Sequence, residues 1–245
     1  MDIGRTGCSA LATTSLNELH LQYGVYINED GAGAFANGLA RNATLNVLEI
    51  IHSSEISDIA WQSIFTAFLT CKVKSLILDF NGLNDATVQS LSNALLHNTT
   101  LKSLSLQDKL ITNAGWVILS TSLCGIMLNK LDIGRNLIDD IAINALTNAL
   151  LNNSMLKTLS CYENPAVTPA GWMNLSTILR NPTSALEVLY VRADSINDEV
   201  LYSFAGALIS NKKMRKLSVE NSFRNIVTST AMRPLPMCCA IPQAS

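Results

Sequence analysis

The sequence predicts an α/β solenoid in horseshoe form: a parallel β-sheet on the concave face, α-helices on the convex face, and about eight repeats of 27–30 residues. Three observations predict it. A six-residue pattern recurs eight times at nearly constant spacing. Inside each unit the hydrophobic period changes from strand-like alternation to about 3.6 residues. Polar residues stand where that change occurs.

The recurring segments are LNELHL from Leu16, LNVLEI from Leu45, VKSLIL from Val73, LKSLSL from Leu101, LNKLDI from Leu128, LKTLSC from Leu156, LEVLYV from Leu186 and MRKLSV from Met214. All follow L-x-x-L-x-L, and successive starts lie 29, 28, 28, 27, 28, 30 and 28 residues apart. In each segment the apolar residues alternate with polar ones, as on a half-buried strand, so Leu104 and Leu106 face a core while Ser105 and Gln107 face away.

About fifteen residues after each start the spacing becomes i, i+3, i+7. One column holds Ala32, Trp61, Val88, Trp116, Ile143, Trp172 and Leu201. The next holds Phe35, Ile64, Leu91, Leu119, Leu146, Leu175 and Phe204, and the third Leu39, Phe68, Leu95, Leu123, Leu150, Leu179 and Leu208. This is a single apolar helix face repeated seven times. Asn84-Asp85, Thr112-Asn113, Asp139-Asp140 and Asn197-Asp198 precede helices as caps whose oxygens accept from unpaired N–H groups. Pro169 after Thr168 fits the first helical position, where a missing donor costs nothing. Asn42, Asn98, Asn153 and Asn211 mark helix ends. Neither a strand nor a helix with one apolar face is stable alone, so the units must stack.

In these segments, LHNTTLKSLSLQDKLITNAGWVILSTSL above all, the chain resembles the leucine-rich repeat family, in its long-repeat, ribonuclease-inhibitor-like class. The resemblance covers roughly residues 1–222. It implies an Asn after each strand, bonding from side chain to backbone across repeats. Asn81, Asn136 and Asn164 keep that residue, whereas Gly24, Ser53 or Ser54, Lys109, Asp194 and Ser222 stand at or near its place elsewhere. An incomplete ladder with some loose turns is expected. Repeat arrays of NOD-like receptors and Ran-type GTPase activators share this repeat class.

Composition narrows the function. At 245 residues with 48% hydrophobic content the chain can bury a sizeable core. A net charge of −2 and a pI near 5.9 supply no basic stripe for nucleic acid or an anionic membrane. No apolar run reaches the roughly 20 residues of a spanning helix, and no signal-peptide pattern opens the chain, so cytosol or nucleus is the expected compartment. The six cysteines, Cys8, Cys71, Cys124, Cys161, Cys238 and Cys239, form no C-x-x-C pair and read as reduced thiols, Cys161 as a core residue. Sequons at Asn42, Asn98, Asn152 and Asn174 read as helix-end residues rather than glycan acceptors. The three tryptophans read as core, since all fall in one inward helix column. No Gly-rich phosphate loop, G-x-S-x-G or His-x-x-x-His occurs. His20 and His52 are expected on neighbouring strands of the concave surface as solvated side chains. A non-enzymatic chain with no cofactor and no metal follows as the expectation.

The concave face then carries the functional expectation, because its side chains are not needed to fill the core. Phe80, Arg135, Tyr162, Tyr190 and Arg192, with the carboxylates Asp79, Asp132 and Glu163, are the candidate protein-binding residues; aromatic and Arg side chains dominate interface energetics. The expected function is an interaction scaffold for one protein partner, with no nucleic acid, membrane or small-molecule substrate. A GTPase-activator-like regulator and the ligand-sensing segment of a NOD-like receptor-type protein are the alternatives. The first lacks the acidic C-terminal tail of its relatives, and the second lacks a phosphate loop here.

Three segments result: a partial or abbreviated repeat at 1–15, the array at 16–222, and an irregular tail at 223–245 punctuated by Pro234, Pro236 and Pro242. Met1 matches Leu131 and Ile3 matches Ile133, but fifteen residues separate Met1 from Leu16 where twenty-five separate Leu131 from Leu156. The array is therefore expected to extend upstream of residue 1.

Overall fold

A computed structural model describes residues 2–3, 6–7, 9–10, 14–53, 56–108 and 110–220. The strands are β1 (Asp2–Ile3), β2 (Glu18–Gln22), β3 (Tyr26–Ile27), β4 (Val47–Ile51), β5 (Ser75–Ile77), β6 (Ser103–Ser105), β7 (Lys130–Asp132), β8 (Thr158–Ser160), β9 (Val188–Arg192) and β10 (Lys216–Glu220). The helices are α1 (Glu29–Arg41), α2 (Asp58–Thr66), α3 (Asp85–Leu95), α4 (Asn113–Leu123), α5 (Asp140–Leu151), α6 (Pro169–Leu175), α7 (Thr177–Arg180) and α8 (Asp198–Leu208).

Eight strands form one parallel sheet in the order β10-β9-β8-β7-β6-β5-β4-β2, with each connection made through the helical side. The register puts the middle leucine of every segment in one line: Leu19, Leu48, Leu76, Leu104, Leu131, Leu159, Leu189 and Leu217. A one-residue slip anywhere would turn these side chains out of the core, which is why the pattern specifies the pairing so strongly. The layers are those of a leucine-rich repeat horseshoe, strands lining the inner face and helices the outer.

The core lies between sheet and helices. Trp61, Trp116 and Trp172 are fully buried, as are Phe35, Phe68 and Phe204. Burying each such side chain stabilises the fold by about 1.5–3 kcal/mol. Leu201 departs from its column: it is half-buried, while Val200, Phe204 and Ala207 carry the burial of α8. Among the described residues no following helix packs against the side of α8 that Leu201 occupies. The caps form as the sequence implies, with Asn84, Thr112, Asp139, Thr168 and Asn197 each accepting from first-turn N–H groups.

Two ladders of polar side chains cross the repeats. In the first, Asn81 donates to Ile50 O and accepts from Ser53 N, while Asn136 donates to Leu106 O and accepts from Asp108 N. Asn164 donates to Ile133 O. The place counted to Lys109 is taken instead by Asp108, which turns inward and accepts from Leu83 N at 2.8 Å; Lys109 itself lies outside the described residues, with Ser54 and Ser222. At Asp194 the gap is closed by its neighbour, for Ser195 donates to Val167 O and accepts from Trp172 Nε1. Those turns are tied rather than loose. In the second ladder, Asn42, Asn98, Asn153, Asn181 and Asn211 each donate to a carbonyl of the preceding repeat and accept from backbone N–H groups two or three residues on. The sequon asparagines Asn42 and Asn98 are thus buried structural residues.

At the amino-terminal end Asp2 pairs with Tyr26 and Ile3 with Ile27, in a two-stranded parallel sheet separate from the main one. The sequence match of Ile3 to Ile133 would have placed it beside Leu21, so β1 stands six residues out of that register. Residues 1, 4, 5, 8 and 11–13 of the segment 1–15 and all of the tail 223–245 lie outside the described residues.

Candidate protein-interaction surface

One to three residues beyond five of the strands the backbone turns sharply, and there a non-glycine residue takes a positive φ: Tyr23, His52, Phe80, Arg135 and Glu163, all between 54° and 59°. An L-residue there costs about 1 kcal/mol or more, so the ladder bonds that clamp these turns must hold it. The strained turn swings its side chain out of the alternation and onto the rim of the sheet. Tyr23, His52 and Phe80 stack there, with ring centroids 5.2 and 4.8 Å apart and planes within 13° and 8° of parallel. Asp108 interrupts the row by turning inward, and beyond it Arg135 and Glu163 continue the rim as an ion pair at 3.1 Å.

This placement corrects one expectation. His52 is a rim residue between two rings, not a strand neighbour of His20, whose partner across the sheet is Glu49. His20 lies 3.4 Å from Glu18 and 3.2 Å from Glu49, and these carboxylates hold its pKa above the ordinary value, Glu18 contributing most. Gln22 also donates to Glu49. Among the described residues no group of three or more metal-ligating side chains assembles.

The eight residues singled out by sequence divide between rim and concave wall. Phe80, Arg135 and Glu163 are on the rim. Tyr162, Tyr190 and Arg192 line a depression of about 500 Å³ on the concave sheet, together with Lys130, Thr158, Ser160, Ser218 and Glu220. Glu163 joins the groups, bonding Arg135 with one oxygen and Arg192 with the other at 3.2 Å. Arg135 lies 5.9 Å from the Tyr162 ring centre, and Lys216 lies 4.8 Å from that of Tyr190. A second hollow of about 340 Å³ runs along the rim between Phe80, Arg135, Leu137, Glu163 and Pro165.

Asp79 and Asp132 are less available than free surface carboxylates. Asp79 is buried, accepting from Ser105 Oγ at 2.9 Å and Gln107 N at 3.0 Å. Burial pushes its carboxyl above the usual range despite those donors. Asp132 accepts from Gly134 N at 3.0 Å and is shifted upward by burial too. The Tyr162 phenol is raised by burial first and by the charge of Asp132 second.

Sequence reasoning passed over Gly134. A Cβ there would stand 2.6 Å from Cε1 and Cζ of Tyr162, so the ring rests on bare backbone just beyond β7 and takes its orientation from it. Lys130 and Lys216 also went unselected, although alternation put both on the concave face; their role is visible only once β7 to β10 are side by side.

No family model matches the chain. It is 30% identical over 153 residues to NACHT, LRR and PYD domains-containing protein 5 of Mus musculus, a match covering 61% of this chain and 13% of that protein. It is 32% identical over 117 residues to leucine-rich repeat-containing protein 73 of Homo sapiens, covering 46% of this chain and 37% of that one. The chain thus matches well under half the length of either relative. Among solved structures, the leiomodin-1 actin-binding site 2 aligns with a TM-score of 0.50 and 18% identity, over 60% of this chain and 86% of that one, a likeness of fold. Period, side-chain ladders and relatives converge on one conclusion: the chain is a leucine-rich repeat protein.

Proposed function

We propose that this chain is a protein-binding scaffold that engages its partner on the concave sheet, over β7 to β10. One observation carries the reading. Tyr162, Tyr190 and Arg192, none of them needed by the core, converge around a single depression on an otherwise hydrogen-bonded sheet. Their orientation is set in advance by Gly134, Glu163 and Lys216. Prepositioned aromatic and Arg side chains lose little entropy on binding, and such residues contribute about 2 kcal/mol or more each at the centre of an interface. The relatives, repeat proteins themselves, support a protein-interaction role.

The test is quantitative affinity purification with the wild-type chain and with Tyr162→Ala, Tyr190→Ala and Arg192→Ala combined. Recovery of the specific partner is expected to fall at least tenfold while the melting temperature stays within a few degrees. Unchanged recovery, or unfolding of the variant, removes the proposal. A second reading, the ligand-sensing segment of a larger receptor-type protein, is supported by the NACHT relatives. Sequencing the full transcript tests it, since that reading requires an in-frame phosphate-loop module upstream.

A further inference from the structure

The residues facing the hollow are unevenly sized. On β8 they are Thr158 and Ser160; on either side stand Lys130 of β7 and Tyr190 of β9, with Lys216 of β10 beside Tyr190, its ammonium group 4.8 Å from the ring centre. Small residues between long ones create the depression. Its floor presents hydroxyl groups, one wall is aromatic, and the cationic side chains reach it from opposite edges.

Lys130 and Lys216 occupy one line of the register, Lys130 opposite Thr158, Thr158 opposite Val188 and Val188 opposite Lys216. Three strand spacings separate them, about 14 Å at Cα. Both are exposed, and among the described residues neither side chain forms an ion pair within 4 Å; the charge of Lys130 acts on Asp132 of its own strand, and Lys216 meets the Tyr190 ring. The two arginines differ, since Glu163 engages both. Among the residues that line the depression two cations, Lys130 and Arg192, face one carboxylate, Glu220, an excess of one positive charge. Asp132 directs an oxygen to Gly134 N–H. At the other end of the sheet the charge reverses, with Glu18 and Glu49 flanking His20.

We infer that the depression between β7 and β10 seats a single carboxylate side chain, Asp or Glu, of a partner polypeptide, held between the Lys130 and Lys216 ammonium groups over the Thr158 and Ser160 hydroxyls. The inference rests on the concave-face reading and adds the partner's chemistry to it. One excess positive charge matches a monoanion; a phosphate dianion would exceed it. The acidic β2–β4 end fixes polarity, because a segment with its carboxylate there would meet like charge, so the acidic residue belongs over the carboxy-terminal strands.

The experiment is selection of random twelve-residue displayed peptides on the full chain, followed by calorimetry of the selected peptides synthesised with blocked ends. The expected peptides share an Asp or Glu at one position. Exchange of that residue for Asn or Gln, or Lys130→Ala with Lys216→Ala, is expected to weaken binding at least tenfold, and rising salt to weaken it further. Both lysines are exposed, so the double variant is expected to keep the wild-type melting temperature. Peptides that need Tyr162 and Tyr190 but ignore both lysines would overturn the carboxylate seat and leave the concave reading standing. Peptides indifferent to all four residues would overturn both. Tighter binding when phosphoserine replaces the shared acid, by tenfold or more, would overturn the carboxylate in favour of phosphate.

Discussion

Replacing Asn136 by alanine tests the physical core of this fold. Asn136 has no exposed surface. Its Oδ1 accepts from Asp108 N at 2.8 Å, and its Nδ2 donates to Leu106 O at 2.8 Å and to Ile133 O and Gly134 O at 3.0 Å. Truncation strands the Asp108 N–H and the Leu106 carbonyl in a buried turn, and each orphan costs about 1–3 kcal/mol. The expected loss is about 3–4 kcal/mol, a large part of the 5–15 kcal/mol typical of a domain. Because each repeat touches only its neighbours, the damage falls on the boundary between the β6 and β7 repeats and uncouples the two halves of the array. Urea unfolding followed by circular dichroism and by tryptophan fluorescence checks it. Trp61 and Trp116 report the amino-terminal half and Trp172 the carboxy-terminal half, so single-tryptophan versions should show separated transitions. Asn136→Asp is not expected to rescue, since it loses the donor and buries a charge among carbonyls. Arg135→Ala, one residue away but exposed, should stay within about 0.5 kcal/mol of wild type. An Asn136→Ala protein within about 1 kcal/mol of wild type, still unfolding in one step, would refute the ladder as a source of stability.

Gly134→Ala should displace the Tyr162 ring while leaving stability within about 1 kcal/mol, because lost packing is offset by a stiffer unfolded chain; calorimetry on a concave-face peptide should show the same loss as Tyr162→Ala. Asp79→Asn should stabilise the fold at neutral pH, measured by urea titration. The folded carboxyl binds its proton more tightly than the unfolded one, so its contribution falls as pH rises above the ordinary 3.8, and the advantage of Asn should vanish below that value. In a background lacking Cys8, Cys238 and Cys239, Cys124 should react quickly with a thiol reagent. Cys71 and Cys161, both buried with burial pushing their thiols upward, should react only on unfolding.

Much of this was legible in local pattern. The line of strand leucines, the inward tryptophan column and the helix caps each depend on spacing within one unit, and a repeated spacing reinforces the signal at every copy. Asp108 was not legible. Counting residues assigns the ladder place to Lys109, but a lysine cannot accept a hydrogen bond, and the chain turns the preceding carboxylate inward to satisfy Leu83 N–H. His52 was misplaced for a related reason. Strand alternation holds only while the backbone stays extended, and a positive φ at the turn carries the side chain to the rim. Asp79 read as a free acid because sequence does not reveal that Ser105 and Gln107 of the next repeat close over it.

Periodicity by itself determined the architecture of this protein, since apolar faces that recur every 27–30 residues can be buried only by stacking in register. The site was decided by the tertiary structure alone. Tyr162 owes its orientation to a glycine 28 residues earlier. Lys130, which lines the hollow, and Lys216, which stands beside its Tyr190 wall, are 86 positions apart in the chain and are neighbours only because three strand pairings bring them within about 14 Å. Core faces repeat in every unit and are therefore readable from one; the concave side chains differ in every unit and acquire meaning only beside their neighbours.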